Sequence, residues 1–501
     1  MIKRLFITKS ITRLMEETVD DSHGLKRTLT AFGLIGLGIG AIIGAGLFVR
    51  TAAAAANNAG PAVTIGFIIA GIGCALAGLC YAEFASMIPI SGSAYTYSYA
   101  TMGEMVAWII GWDLVLEYAL GAATVSIAWS EYLNKLLGYF DMKIPYALCH
   151  SPFEALRNGA GEVIAQGIIN IPALFIVFLL TLLLIRGSRE SSLVNAIIVI
   201  TKVTIVVLFI VFGWSFIRPE NHTPFIPEPS TYVDDQGVPH NFGGILGILG
   251  AAGVVFFAFI GFDAVSTAAQ ETKNPKKAMP IGILGSLAIC TVLYILFAYV
   301  LTGVASTEDF RTAGKEASIT YAIQTYMTGY GWLAKLVTVA ILAGFSSVIL
   351  VMLFGQSRVF YSMSRDGLVP PIFSDVHKKF RTPYKSNLLF FVFVGLFASF
   401  VPQDIVGDMT SIGTLFAFLL VSAGVWVMRV KSPGIQRQFK TPFVPLVPIL
   451  AIIICGAMIY GLGWANWMRL LIWMAIGFII YLGYGIRKSK LFNEIKANKN
   501  T

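Results

Sequence analysis

The chain has 501 residues, of which 56% are hydrophobic and 13% are charged, and its mean hydropathy is +0.75. Soluble proteins carry about a quarter charged residues, so this composition excludes a soluble globular protein and indicates an integral membrane protein. The net charge of +9 is compatible with a nucleic-acid partner, so the positions of the charged residues have to be considered.

Twelve apolar runs are each long enough to cross about 30 Å of hydrocarbon as a helix. Residues 1–29 precede them as an amphipathic segment that lacks the features of a signal peptide, and we expect this segment to lie at the membrane interface. A polar tail, 487–501, follows them. In chain order the twelve runs are 30–56, 62–88, 103–135, 167–186, 192–217, 243–270, 280–304, 331–362, 387–401, 405–430, 446–464 and 468–486.

Lys and Arg residues are unevenly shared between alternate loops. If the N-terminus is cytoplasmic, the outer loops hold Lys143, Arg157, Arg218, Arg311 and Lys315, and most of the others fall on the inner side. This positive-inside bias accounts for the basic charge without a nucleic-acid partner, and it places both termini in the cytoplasm. We therefore predict a multi-pass protein of the cell (plasma or inner) membrane.

The five cysteines do not point to a cofactor. Four of them fall in apolar runs, and Cys149 stands alone in an outer loop. This spacing predicts neither a disulfide framework nor a metal site. We expect no metal and no cofactor.

The first apolar run contains the stretch GLGIGAIIGAGLFV at residues 36–49, with five glycines. Each glycine weakens a helix by about 1 kcal/mol relative to alanine, so their function needs an explanation. One explanation is close packing of a neighbouring helix against Gly36, Gly40 and Gly44. The other is that the helix is interrupted here and exposes backbone N–H and C=O groups to a bound molecule.

The chain divides into two stretches of five runs each, 30–217 and 243–430, followed by two additional runs within 446–486. Because five is odd, the second stretch enters the membrane from the opposite side, which predicts an inverted repeat. The sixth run should then be interrupted like the first. It carries Gly261 in mid-span and Asp263 directly after it, where the carboxylate suits a cap for a second half-helix, a role in ion coupling, or both.

Several motifs together resemble a known family. GIGAIIGAGLFV, GWDLVLEYALGAA, GSRESSLVNAIIVITK, FAFIGFDAVSTAAQETKNPKKAMPIGI and GQSRVFYSMSRDGLVPP resemble the bacterial cationic-amino-acid-transporter-like branch of the amino acid–polyamine–organocation (APC) superfamily. The resemblance covers the first ten runs. It implies an all-α membrane protein of twelve transmembrane helices with the LeuT-type 5+5 inverted repeat, in which helices 1 and 6 are broken.

The resemblance and the physical chemistry of an α-amino acid together imply a binding site at the breaks. The amides of Gly44, Ala45 and Gly46 suit the carboxylate, because they start the outer half of helix 1. The substrate ammonium is expected at carbonyl groups, namely those of Ile42, Phe257 and Ile260. Glycine packing remains the alternative.

Lys202 lies in the middle of the fifth run, where ordinary structural lysines are rare. In the resembled branch a lysine here stands where sodium-coupled members of the fold bind a cation. The expected partners are a carbonyl near Gly38 to Gly40 and the hydroxyl of Ser346 or Ser347. Burial favours a neutral lysine, so we predict proton coupling rather than sodium coupling. An ammonium that only ties three helices together is the alternative.

Glu117 is a second ionisable residue deep in a span. The resemblance places it near the substrate, in a polar network with Asp263 and Tyr294. Pairing with Lys202, directly or through water, would make its charge tolerable. We predict that such a cluster titrates as a group.

The predicted side-chain pocket is small and apolar, with Phe345 at its floor beside Ala45 and Phe257. We therefore expect import of a small neutral amino acid such as alanine, driven by protons through alternating access, with cationic amino acids possible. The alternatives are an amino-acid exchanger of the same fold and a membrane receptor or channel. An enzyme is not expected, because the five histidines lie outside the spans. Oligomeric state and any accessory subunit are not predicted.

Overall fold

Helices account for nearly all of the regular structure in the computed structural model, as expected where backbone polar groups must be satisfied without water. The structure describes residues 5–10, 29–88, 93–157, 162–186, 191–234, 239–314, 318–380 and 382–500. The predicted N-terminal segment, 1–29, lies mostly outside these residues. Its described part, 5–10, packs on the inner ends of later helices through the backbone bonds Lys9 N to Tyr99 O and Glu104 N to Ile7 O.

The first half of the chain forms helices α1 to α7. The segment α2 covers 46–59 and consists of a π-helical turn Gly46–Arg50, an α-helical turn Thr51–Ala54 and a second π-helical turn Ala55–Ala59. The others are α1 (Ala31–Ile42), α3 (Val63–Met87), α4 (Ser93–Thr101), α5 (Glu104–Gly138), α6 (Ile171–Arg186) and α7 (Ser191–Gly213).

The second half forms ten more helices. They are α8 (Gly244–Val255), α9 (Pro275–Val304), α10 (Thr307–Ala313), α11 (Ile319–Tyr326), α12 (Gly331–Arg365), α13 (Tyr384–Phe400), α14 (Gln403–Lys431), α15 (Leu446–Gly461), α16 (Trp464–Lys488) and α17 (Lys490–Asn500). Short 3-10 segments include Phe256–Phe259 and Asp263–Glu271, which continue α8 after its last α-helical turn.

Eight helical stretches of the described residues are long and apolar enough to cross a membrane. Four further apolar helices, α1, α6, α13 and α15, are shorter. All of them fall on the apolar runs that the sequence indicates. The chain is therefore a helical, multi-pass membrane protein.

The first apolar run is interrupted between α1 and α2. Ile43 adopts an extended conformation, with φ −71° and ψ 105°, and the next internal hydrogen bonds run from Leu47 N and Phe48 N to Gly44 O. The glycines at 44 and 46 therefore lie where the helix stops and restarts. The interruption frees backbone groups at both of its ends.

The sixth apolar run is interrupted in the same way. Its 3-10 segment Phe256–Phe259 ends at Ile260, which has φ −59° and ψ 135°. Gly261 follows with φ +111°, a conformation that a residue with a side chain rarely adopts. The chain resumes as the 3-10 segment Asp263–Glu271.

The helices that carry the interruptions are enclosed by others. Helix α9 packs against α1 and α3, α12 packs against α5, α7 and α1, and α14 packs against α15. Two antiparallel hairpins, Ala155–Arg157 with Val163–Gln166 and Ser230–Val233 with Pro239–Phe242, occupy connecting loops. Neither hairpin is predicted from the sequence, because local pairing in short loops leaves little pattern in an otherwise apolar chain.

Gly46 and Gly36 provide a test of why glycine is needed in the first run. A Cβ at Gly46 would lie 2.2 Å from the Cα of Ala258, whereas a Cβ at Gly36 meets nothing within 4 Å. We predict that Gly46→Ala lowers the free energy of unfolding by about 1–3 kcal/mol through overpacking. Gly36→Ala should leave it unchanged or raise it by up to about 1 kcal/mol.

Thermal unfolding of the two purified variants in the same detergent measures the difference. Equal melting temperatures for Gly46→Ala and the unaltered protein would contradict the close contact between the two interruptions.

Candidate functional site

The two interruptions contact each other. Besides the contact of Gly46 with Ala258, a Cβ at Gly261 would lie 3.0 Å from the carbonyl oxygen of Ala41. The end of α1 therefore faces Gly261, where the sixth run is interrupted. The start of α2 faces the 3-10 turn Phe256–Phe259, which precedes that interruption. A molecule bound between them would meet backbone groups from both.

Tyr294 of α9 bridges the interruptions with its hydroxyl group. The oxygen lies 3.1 Å from the carbonyl oxygen of Ile42 and 2.9 Å from that of Ala258. In this structure the Tyr294 hydroxyl meets these helix carbonyls, whereas the sequence predicts a network with Glu117 and Asp263. Its single hydroxyl hydrogen can be donated to either of these two carbonyls, which lie at helix ends where backbone groups lack helical partners.

The amides predicted to bind a carboxylate lie at the start of α2. Gly44, Ala45 and Gly46 precede or begin its first turn, where N–H groups have no partner within the helix. Val348 of α12 lies against Gly44, with its Cγ2 3.3 Å from the ideal Cβ position. An apolar side chain therefore borders these amides.

The carbonyl groups predicted to bind an ammonium already have internal partners. That of Ile42 accepts from Tyr294, and that of Phe257 accepts from the amide of Ile260 at 3.3 Å. Phe257 and Ile260 are buried, at 4% and 1% exposure. An incoming ammonium would have to replace or share these bonds.

Lys202 of α7 reaches the end of α1. Its Nζ donates to the carbonyl oxygens of Gly40, at 2.9 Å, and Ile43, at 3.0 Å. A Cβ at Gly344 of α12 would lie 2.5 Å from its Cε, so a glycine makes room for the lysine chain. The ammonium thus satisfies carbonyls on both sides of the last α1 residue, including one of those that the sequence indicates.

Ser346, one of the two predicted partners of Lys202 on α12, has other hydrogen-bond partners. The hydroxyl of Ser346 donates to the carbonyl of Leu342 at 2.9 Å and accepts from the indole N–H of Trp129 at 3.1 Å. Ser347 is buried on the same helix. The close approach of α12 to Lys202 is made by Gly344 rather than by Ser346.

A second polar cluster contains three buried carboxyl groups. Glu117 lies beside Asp263, and Asp113 lies one turn earlier on α5. Asp263 is the first residue of its 3-10 segment rather than its N-cap, and its carboxylate accepts a hydrogen bond from Tyr118. Among the described residues, no group makes a hydrogen bond of regular geometry to the carboxyl oxygens of Asp113 or Glu117. The Lys202 ammonium donates to helix carbonyls and does not pair directly with Glu117.

Phe345 is completely buried between two aromatic rings. Its ring centroid lies 5.6 Å from that of Tyr132 on α5 and 6.4 Å from that of Phe48 on α2. It therefore lies beside α2, one turn before Val348 on α12.

Arg50, itself buried, forms an ionic cluster with an exposed and a partly exposed carboxylate next to this region. Its guanidinium pairs with Asp404, at 3.3 Å, and with Asp408, both in the first turns of α14. Asn466 of α16 donates to the carboxylate of Asp408 at 3.1 Å. This cluster joins α2 to α14 at the end of the molecule opposite the chain termini.

A different ionic cluster lies at the end that carries the termini. Asp366, just after α12, accepts from Lys9 at 2.9 Å and from the Tyr95 hydroxyl at 2.6 Å. Its carbonyl accepts from the amide of Lys490 at 3.0 Å. This one residue thus connects the N-terminal segment, α4, α12 and the C-terminal segment.

Sequence reasoning missed several of these residues. Asp404 and Asp408 are spaced i, i+4 at a helix start, which indicates one shared helix face and a common partner. Tyr118, next to Glu117, was also missed. Lys9 gives no signal, because its partner is 357 positions away.

Comparison with known proteins places the chain in a family. The family described as amino acid permease matches residues 29–480. The branched-chain amino acid permease BcaP of Bacillus subtilis is 44% identical over 97% of this chain and 99% of its own length. The methylthioribose transporter of the same bacterium is 41% identical over 98% and 99%, and the chloroplastic cationic amino acid transporter 9 of Arabidopsis thaliana is 37% identical over 88% and 73%.

These relatives are transporters rather than enzymes, and the match covers the interrupted helices as well as the helices around them. The chain belongs to the amino acid permease family of the APC superfamily.

Proposed function

We propose that this protein imports a neutral, apolar amino acid across the cell membrane together with protons, by alternating access. One observation carries the proposal: two interrupted helices meet at Gly46, Ala258, Ala41 and Gly261, and a buried lysine binds the end of the first. Backbone groups freed in pairs at mid-depth suit a substrate that has both a carboxylate and an ammonium.

The proposed topology has twelve transmembrane helices in the LeuT-type arrangement. The repeats are 30–217 and 243–430, and two helices within 446–486 follow them. The two interruptions, each in the first apolar run of its repeat, support this arrangement. The uneven distribution of Lys and Arg supports cytoplasmic termini.

The proposed substrate binds with its carboxylate at the amides of Gly44, Ala45 and Gly46. The positive end of a helix favours an anion there, and a side chain at either glycine would hinder its approach. The substrate ammonium takes carbonyl groups at the interruptions, including those of Ile42, Phe257 and Ile260. Rearrangement of the Tyr294 hydroxyl would free the first of these.

The proposed side-chain pocket is apolar. Val348 lies against Gly44, and Phe345 fills the space beside Phe48 one turn away. The buried carboxyl groups of Glu117 and Asp263 interact with each other and with Tyr118, so we do not assign them to a cationic substrate. Alanine, valine, leucine and isoleucine are the candidate substrates, in keeping with the branched-chain permease among the relatives.

We assign proton coupling to Lys202, with Glu117 and Asp263 as a second site. Loss of a proton from Lys202 would leave its amine a weaker partner for the carbonyls of Gly40 and Ile43, and so would release the end of α1. Two adjacent buried carboxyl groups cannot both be charged without a large cost, so they hold at least one proton between them. A lysine that only holds α1 and α7 together is the competing hypothesis.

Alternating access requires the two ionic clusters to open in turn. The Arg50 cluster closes the end opposite the termini, and the Asp366 cluster closes the end with the termini. Each joins helices of different parts of the fold. Opening one while the other stays closed would expose the site to one side at a time.

Lys202→Met tests the coupling. Methionine keeps the chain length beside Gly344 but cannot donate to the carbonyls of Gly40 and Ile43. We predict that substrate accumulation driven by an imposed pH gradient in empty proteoliposomes falls at least about tenfold, a loss of about 1.4 kcal/mol of coupling. Exchange of labelled for unlabelled leucine without a gradient should persist, because the substrate contacts are backbone groups.

Two outcomes would contradict this assignment. Unchanged pH-driven accumulation in Lys202→Met would mean that the lysine only holds helices together. A requirement for sodium, tested by replacing sodium with choline at fixed pH, would mean that a different ion is coupled to transport. If the unaltered protein exchanges substrate but never accumulates it in empty liposomes, it is an exchanger.

Substrate preference is tested by ligand-dependent thermal stability. Ligands that bind the folded state raise its melting temperature, so alanine, valine, leucine or isoleucine should raise it more than arginine, lysine or methylthioribose. We expect Phe345→Ser to increase the response to arginine, because it opens space beside Phe48. An arginine response that matches the best neutral amino acid in the unaltered protein would refute the apolar pocket.

A further inference from the structure

The loop between α14 and α15 encloses a second site, remote from the interrupted helices. A cavity of about 600 Å³ opens there, at the same end of the molecule as the chain termini. Its charged lining comes from Arg429, Arg437 and Lys440, and Gln436 and Gln438 add side-chain amides. None of these residues has a role in the proposed transport mechanism.

The loop is fixed in place by Glu83 of α3. Arg429 donates to both carboxylate oxygens, at 2.9 and 2.8 Å, and the amide of Thr441 donates to one of them at 2.8 Å. Arg437 lies 3.0 Å from the same carboxylate and donates to carbonyls of its own loop, including Ile435 at 2.8 Å and Ser432 at 2.9 Å. The cavity wall is therefore organised before any ligand arrives.

The charge of the loop is in excess of what Glu83 neutralises. Residues 428–446 contain Arg429, Lys431, Arg437 and Lys440 but no Asp or Glu. Lys440 and both glutamine side chains of the lining are exposed. The Arg437 guanidinium is engaged by Glu83 and by its own loop, and Arg429 donates to Glu83. Lys440 and the glutamine amides are therefore the lining groups that a ligand would meet first. An ammonium beside two amide donors suits a phosphate group.

The surroundings of the cavity favour a lipid over a soluble anion. Val430, at 71% exposure, Phe443, at 79%, and Leu446, at 55%, flank the lining residues at the ends of two apolar helices. Apolar side chains in this position suit acyl chains, and basic pockets at helix ends are a recurring way to bind anionic headgroups. We propose that this cavity binds the phosphodiester headgroup of an anionic phospholipid in the leaflet at this end.

The consequence of binding concerns α14. Arg429 lies near one end of this helix, and Asp404 and Asp408, which pair with Arg50, lie at the other. A headgroup bound by Lys440 and the glutamine amides adds to the Glu83 contacts that already hold the Arg429 end of α14 against α3. Both carboxylates that pair with Arg50 are on α14, so the added contact stabilises the position of the helix that carries them.

Native mass spectrometry of the full-length protein tests the proposal without depending on transport. With phosphatidylglycerol and phosphatidylcholine of identical acyl chains in equal amounts, the unaltered protein should retain phosphatidylglycerol preferentially. Lys440→Gln should lower the ratio of the two bound lipids about fivefold, and Lys440→Glu should lower it further. Lys440→Arg should restore it.

Lys431→Gln is the matched control, because it also removes one positive charge. Lys431 is the last residue of α14 and does not line the cavity. It should keep the preference. Equal losses in Lys431→Gln and Lys440→Gln, or no preference in the unaltered protein, would overturn the proposal. Competition by glycerol phosphate as effective as that by phosphatidylglycerol would also overturn it, in favour of a soluble anion.

Discussion

The freed backbone groups at the two helix interruptions are the constraint on which the rest of this structure depends. A transmembrane helix that stops in mid-span leaves N–H and C=O groups without partners, and hydrocarbon offers them none. Here Lys202 and Tyr294 bind carbonyls at the end of α1 and in the 3-10 turn Phe256–Phe259, just before the second interruption. Both residues come from intact helices, α7 and α9, which enclose the interrupted ones.

Two of the ionisable residues deep in the protein have partners near the interruptions. Lys202 is acceptable there because it has two carbonyl partners, and Asp263 because it accepts from Tyr118. The partners are different groups, so the lysine and the carboxyl cluster are two separate polar sites. If both take part in proton coupling, as we propose, they do so through movement of α1 and the sixth run rather than through a shared hydrogen bond.

The sequence predicts the helical architecture well, because apolar length and glycine position are local properties. The interruptions at Ile43 and Gly261 lie within the stretches that the glycines indicate. Partners of side chains are a different matter. Tyr294 and Glu117 were expected in one network, yet they lie in separate ones, because which face of α9 meets the interruptions depends on how whole helices pack. The Lys9–Asp366 pair is invisible to local reasoning for the same reason.

The site residues themselves rest on this geometry and on family membership together. Val348 and Gly344 show what the structure adds: each is one residue of a long apolar helix, and only the packing reveals that one borders the Gly44 amides and the other makes room for Lys202. Of the two serines predicted to contact the lysine, Ser346 accepts instead from the indole of Trp129. Small residues where helices cross are therefore needed for the site as well as polar ones, because they leave space for Lys202 and for the contact between the interruptions.

The central claim, that an apolar amino acid and protons move together through this site, is tested most directly by following internal pH. Proteoliposomes are loaded with a pH-sensitive dye, sodium is absent, and leucine or alanine is added outside with no initial gradient. The account predicts acidification of the interior that begins on addition of the amino acid and is absent in protein-free liposomes. Entry of labelled leucine or alanine without any change of internal pH would contradict it.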